Sequence, residues 1–204
     1  MATSYVSFDE GSTKKGRTFQ RTDGVDTVEE WMYAQSESLF DTYSVVGASI
    51  AGATANSHLL EIMAGGTNRV GIKHITIYQS DAANAVAAFT FDIIRLTTAG
   101  TGGSAVTANA LDPASSGAGA TAMTLPSSKG TEGVNVGGRH RGNIHTSEAT
   151  IGLQPVLDLR FGLDNQKALW IAAGTSNGIC IKNPLADSSV TFDIFVTLVE
   201  AGWA

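Results

Sequence analysis

The chain has one cysteine, four prolines, few charges and no long apolar run, and each shortage closes off a class of protein. Cys180 stands alone in the apolar run GICIK, so no intramolecular disulfide can form and a buried strand thiol is expected. No segment reaches the roughly 18 consecutive apolar residues that cross a bilayer as a helix. The start, MATSYVSFDEGS, has no apolar core of a secretion signal, so a soluble protein made in a reducing compartment is expected. Thirteen Lys and Arg face nineteen Asp and Glu, a net charge of −6, and no basic run occurs, which leaves nucleic acid a poor partner. Between Asp92 and Arg160 there is no aromatic residue, so that stretch cannot supply much of a core.

What the chain does have is β material. Hydrophobic residues make up 43% and charged residues 16%, enough apolar content for a folded domain. Glycine, at 23 residues against the roughly 14 of average usage, points to many tight turns between short strands. The stretch RVGIKHITIYQSDAANAVAAFTFDIIRL reads as strands at Val70–Tyr78 and Val86–Leu96 joined by a polar loop, a half-solvated antiparallel pair with Phe89, Phe91 and Ile93 toward the core. Further strands are expected at Thr42–Ile50, Ser57–Ala64, Pro155–Phe161, Ala168–Ala173 and Ile179–Lys182. The clearest alternation is Ser189–Glu200, where Val190, Phe192, Ile194, Val196 and Leu198 share one face; it predicts a central strand. Between them, Thr97–Gly133 is a long Gly/Ala/Ser/Thr excursion with short edge strands at Ser104–Leu111 and Ala120–Leu125 and a turn at Asp112-Pro113. Eight substantial strands with turn signals between them predict an all-β fold, an antiparallel two-sheet sandwich of jelly-roll-like type over residues 41–204.

Residues 1–40 have another texture. Aromatics spaced among charges and glycines suggest an extended N-terminal arm, with Tyr5, Phe8, Phe19 and Trp31 as candidate contacts to another surface. A short helix is expected at Thr27–Ser36, capped by Asp26 or Thr27, with Glu29 and Glu30 in its first turn.

Catalytic templates fail at nameable points. AGTGGSA at Ala99–Ala105 resembles a phosphate-cradling loop but lacks the Gly-Lys-Ser/Thr ending, and an exposed turn is expected. There is no Gly-x-Ser-x-Gly elbow. His58, His74, His140 and His145 form no metal-ligand spacing, and Asp81, Asp112 and Asp187 read as turn residues. No enzyme, cofactor or metal is expected. In the Gly-rich loop GGRHRGNIHT, Arg139, His140 and Arg141 are candidate interface residues, because clustered Arg is enriched at protein contacts.

The runs RLTTAGTGGSAVTANALDP, AGATAMTLPSSKGTEG and LWIAAGTSNGICIKN resemble small virion-associated proteins encoded near the capsid genes of tailed bacteriophages, over roughly Asn68–Val199. The resemblance implies an all-β structural virion protein, a capsid decoration (cement) or head-fibre component with no catalytic residues. Decoration implies contact with the major capsid protein between capsomers, location on the outer capsid surface after synthesis in the host cytoplasm, and a closed homotrimer. The alternative is a head-fibre or tail-fibre module that recognises a host surface glycan through Thr97–Gly133 and Gly137–Thr146. The first forty residues lie outside the resemblance.

Overall fold

The computed structural model describes residues 3–7, 15–23, 26–31, 40–82, 88–146, 154–162, 168–186 and 190–201. Contacts divide the chain into two compact units, Met1–Leu39 and Phe40–Ala204. In the first, β1 (Thr3–Ser7), β2 (Lys15–Asp23) and β3 (Asp26–Trp31) form an antiparallel sheet in the order β1-β2-β3. The helix expected at Thr27–Ser36 is thus a strand over its first half, and residues 32–36 lie outside the described residues. The reason is pairing: Asp23 and Asp26 face each other across an Asp-Gly turn signal, and Thr27, Val28 and Trp31 suit a ladder better than Glu29 and Glu30 suit a helix.

The second unit is a two-sheet antiparallel sandwich. Its strands are β4 (Asp41–Ala51), β5 (Ser57–Met63), β6 (Arg69–Gln79), β7 (Ala88–Leu96), β8 (Ser104–Val106), β9 (Ala108–Ala110), β10 (Thr121–Thr124), β11 (Glu132–Asn143), β12 (Leu157–Arg160), β13 (Leu169–Ile171), β14 (Gly178–Asn183) and β15 (Thr191–Ala201). One sheet runs β11-β7-β14-β5-β10-β8 and the other β12-β6-β15-β4-β9, with β13 continuing beside β6 after β12. The alternating strand β15 lies between β6 and β4, and its inward residues Phe192, Ile194, Val196 and Leu198, with Val190 just before it, are all 1% exposed or less.

The expected pairing of β6 with β7 is corrected. The two strands belong to different sheets: β6 pairs with β15, β12 and β13, and β7 pairs with β14 and β11. Both are too apolar for a half-solvated hairpin. Ile72, Ile75 and Ile77 on β6 and Phe89, Phe91 and Ile93 on β7 are buried, which fits strands inside separate sheets with inner faces packed together. The sheets meet at an aromatic cluster, where Phe192 of β15 lies 4.6 Å from Phe89 and 5.3 Å from Phe91 between ring centroids. The other face of β7 is covered as well: Ile94 and Leu96 pack with Met63 and Cys180 in a second apolar cluster. Cys180 is the buried strand thiol expected, and burial together with the Glu132 and Glu61 carboxylates pushes its pKa up.

The excursion folds onto one side of the sandwich rather than extending from it. Its β8 and β10 add to the sheet edge at β5, while β9 adds to the other sheet at β4. Its small residues contribute little to the core beyond Ala120 and Ala122.

Candidate interaction surface

The seven interface residues expected from sequence fall in three environments. Tyr5 lies in β1, opposite Arg17; Phe19 lies in β2 and Trp31 in β3, opposite Thr18, and these are backbone placements. Phe8 lies outside the described residues, as does Asp187. Arg139, His140 and Arg141 are brought together on β11, opposite Asp92, Phe91 and Thr90 of β7.

Their loop is corrected to a strand, the longest in the chain. Sequence patterning misses it because EGVNVGGRHRGN holds four glycines, and its register with β7 shifts twice, so no alternation survives. What fixes it is Asp92. Arg139 donates from Nε and Nη2 to the two Asp92 oxygens, each at 3.1 Å, a fork-on-carboxylate pair that lets Asp92 remain 5% exposed. Hydrogen bonding and the charge of Asp92 hold Arg139 above its ordinary pKa. Arg139 is therefore committed to its own sheet, Arg141 is exposed, and Nε2 of half-buried His140 has no hydrogen-bond partner among the described residues. Toward the other end of the strand, Val134 is 70% exposed and Val136 lies beside it in the open. This edge of the sheet therefore presents apolar and cationic side chains together.

A second exposed feature lies on the outer face of the other sheet. Phe195 of β15 is 41% exposed, meets Tyr78 of β6 edge to face at 5.8 Å and faces Val46 across β4. Nearby, Asp193 accepts from the Ser49 N–H at 2.7 Å and Ser80 Oγ at 3.1 Å, so its carboxylate serves the local backbone. Between β6 and β12, His74 Nε2 lies 2.5 Å from Asp158 Oδ1; that hydrogen bond, with help from Arg160, holds Asp158 below the usual carboxylate range.

The side chains that organise the excursion were not among those expected. Glu61 of β5 is 2% exposed, and its Oε2 accepts the Gly100 N–H at 2.7 Å while Oε1 accepts the Gly130 N–H at 2.9 Å. Nδ1 of fully buried His58 lies 2.6 Å from the same Oε1, and its Nε2 lies 3.1 Å from Glu132 Oε1. Lys182 donates to both Glu132 oxygens at 2.9 Å, and Lys129 lies 3.9 Å from the same group. Burial pushes the Glu61 pKa up, but hydrogen bonds from His58, Gly130 and Gly100 outweigh it, so the carboxyl is held below the ordinary glutamate value. Glu132 is likewise lowered, its partial burial outweighed by Lys182 and His58.

The middle of the excursion is held in the same way by Glu200, which accepts the Gly119 and Ala120 N–H groups at 3.1 and 2.6 Å. Thus AGTGGSA does bind an anion through a glycine N–H, and the anion is the protein's own Glu61. Gly100 is accordingly buried, while Ala99, Thr101, Gly102, Ser104 and Ala105 around it are exposed as expected. At Asp112 the expected turn is present, closed by Ala114 N–H on Oδ1 at 2.9 Å. A cleft of about 490 Å³ opens beside the excursion, between residues 51–57 and Leu125–Lys129; Leu125 there has φ of 45°. Among the described residues no three His, Cys, Asp or Glu side chains group as metal ligands, and no helix is long and apolar enough to cross a membrane.

No family model matches this chain, and neither a curated protein nor a solved structure matches it.

Proposed function

We propose that this chain is a structural protein of a tailed-phage virion, a capsid decoration protein that binds the outer shell between capsomers as a homotrimer and stabilises it. The observation that carries the reading is the excursion itself. A 37-residue stretch, Thr97–Gly133, with almost no charge and small side chains throughout, is fastened down by two internal carboxylates at Gly100, Gly119, Ala120 and Gly130. Such a surface is stiff before binding and has few long side chains to immobilise, which lowers the entropic cost of docking against a shell. The open β11 edge, with Val134 and Arg141 exposed, offers a second contact of mixed character for the capsid or for a neighbouring copy. Consecutive strands β4 to β7 alternate between sheets, and β14 and β15 insert between earlier strands, an order that supports a jelly-roll-like path. The reading assigns no reaction, cofactor, nucleic acid or membrane to the chain.

The alternative is a head-fibre or tail-fibre module for a host glycan. One feature favours it: Phe195 and Tyr78 place an aromatic pair on an open sheet face, the kind of surface on which a sugar ring stacks. Heating complete particles and particles lacking the protein separates the two. Decoration predicts earlier disruption of the particles that lack it, and equal heat resistance with loss of host-cell attachment would replace it by the fibre reading.

A further inference from the structure

We propose that Glu61 is an acid-operated latch: its ionised carboxylate ties both ends of the Thr97–Gly133 excursion to β5, and protonation frees them while the sandwich stays folded. This inference is independent of the virion reading, since it rests on hydrogen-bond geometry alone.

Two backbone N–H donors and one ring nitrogen converge on two oxygens. Oε2 takes the Gly100 N–H, and Oε1 takes the Gly130 N–H together with His58 Nδ1. A proton on Oε2 faces the Gly100 N–H, and one on Oε1 competes with the Gly130 N–H, so the neutral carboxyl holds the two backbone N–H groups less well than the carboxylate does. The site also tolerates no substitute for glycine at its two ends. A Cβ on Gly100 would sit 2.8 Å from both Glu61 oxygens and from Pro126 Cβ, and one on Gly130 would sit 2.3 Å from the Thr98 carbonyl. Backbone and carboxylate approach this closely only because neither end has a side chain.

The charged surroundings define when the latch opens. On β5 itself stands His58; from β11 comes Glu132, and from β14 come Lys182 and the Cys180 thiol, which is opposite Glu61 in the ladder. Lys129 reaches Glu132 from the excursion's own end, and the β10 residue opposite Glu61 is the uncharged Met123. His58 and the Gly130 and Gly100 N–H groups favour the ionised form, so opening falls on the acid side of the ordinary glutamate range. A cavity of about 140 Å³, lined by Glu61, Gly100 and Met123, lies against the carboxylate and provides a route for the proton.

Residue-resolved amide exchange on the whole chain tests this, followed as protection factors from about pH 6 to about pH 3.5. The latch predicts that Gly100 and Gly130 lose protection by at least about tenfold at a pH where Ile194 and Val196 in β15 remain fully protected. It also predicts that Glu61→Gln, whose single oxygen serves one of the two sides while its NH2 faces the other N–H, exposes at least one of the two amides at neutral pH and removes the pH dependence. If that variant does not fold, the titration of the unaltered protein decides alone. Gly100 and Gly130 keeping their protection, or losing it only together with Ile194 and Val196, overturns the proposal.

Discussion

His58 and Glu61 sit three residues apart on β5 with Nδ1 and Oε1 2.6 Å apart, and neither side chain is more than 2% exposed. A carboxylate this deeply buried depends on every hydrogen-bond partner being present. Replacing His58 by Ala takes the buried ring partner from Glu61, while Glu132 keeps Lys182 on both of its oxygens. The expected cost is about 3 kcal/mol of unfolding free energy, within the range for breaking a buried pair, read as a lower urea midpoint at unchanged slope.

The pH dependence of stability follows from the same carboxylates. Glu61, Glu132 and Asp158 all bind protons less readily in the folded chain than at their ordinary values of 4.5, 4.5 and 3.8. As pH falls, the unfolded chain takes up protons first, so the stability these groups contribute is complete above about pH 5 and drains away below it. Thermal melts across that interval should show a falling midpoint on acidification. A midpoint flat from neutrality down through pH 3 would contradict the assignment.

Two glycine substitutions separate close approach from ordinary turn preference. At Gly100 a methyl group would be 2.8 Å from the Glu61 oxygens, whereas at Gly66 it would meet nothing within 4 Å. Gly100→Ala should cost about 1–3 kcal/mol, the range for overpacking, and Gly66→Ala should be neutral or slightly stabilising. Equal effects in thermal denaturation would mean that the excursion is not seated against Glu61.

The three residues of the β11 patch divide into structural and available groups. Arg139→Ala removes the fork from Asp92 and leaves a buried carboxylate without its charge partner, so it should lower the denaturation midpoint. Arg141→Ala should leave folding unchanged and weaken any contact made by this edge, measured as retention on purified capsids. The reverse pattern would exchange their roles.

The sandwich was legible where burial imposes a period on the sequence. Along β15, Phe192, Ile194, Val196 and Leu198 are buried in alternation with more exposed residues because one face meets the core and the other does not. Legibility failed where long-range pairing sets the structure. The β6–β7 hairpin was the natural reading of adjacent strands, yet partners far along the chain, β14 and β15, complete each sheet. Strand β11 carries no periodic signal at all, and the Arg139–Asp92 pair that fixes it spans 47 residues. Glu61 was hidden for the opposite reason. A lone glutamate in SHLLEIM looks like an interruption of an apolar strand, and only the approach of Gly100 and Gly130 shows it as an organising group. One sign was available: a glycine loop shaped for an anion but lacking the lysine of a phosphate site.

The central claim is an oligomeric shell-binding protein, and its most direct test is the mass of the purified chain by light scattering together with its copy number in intact particles. The account predicts a species three times the 21.2 kDa chain mass, present at every capsomer junction. A monomer in solution, or a handful of copies per particle, would contradict it.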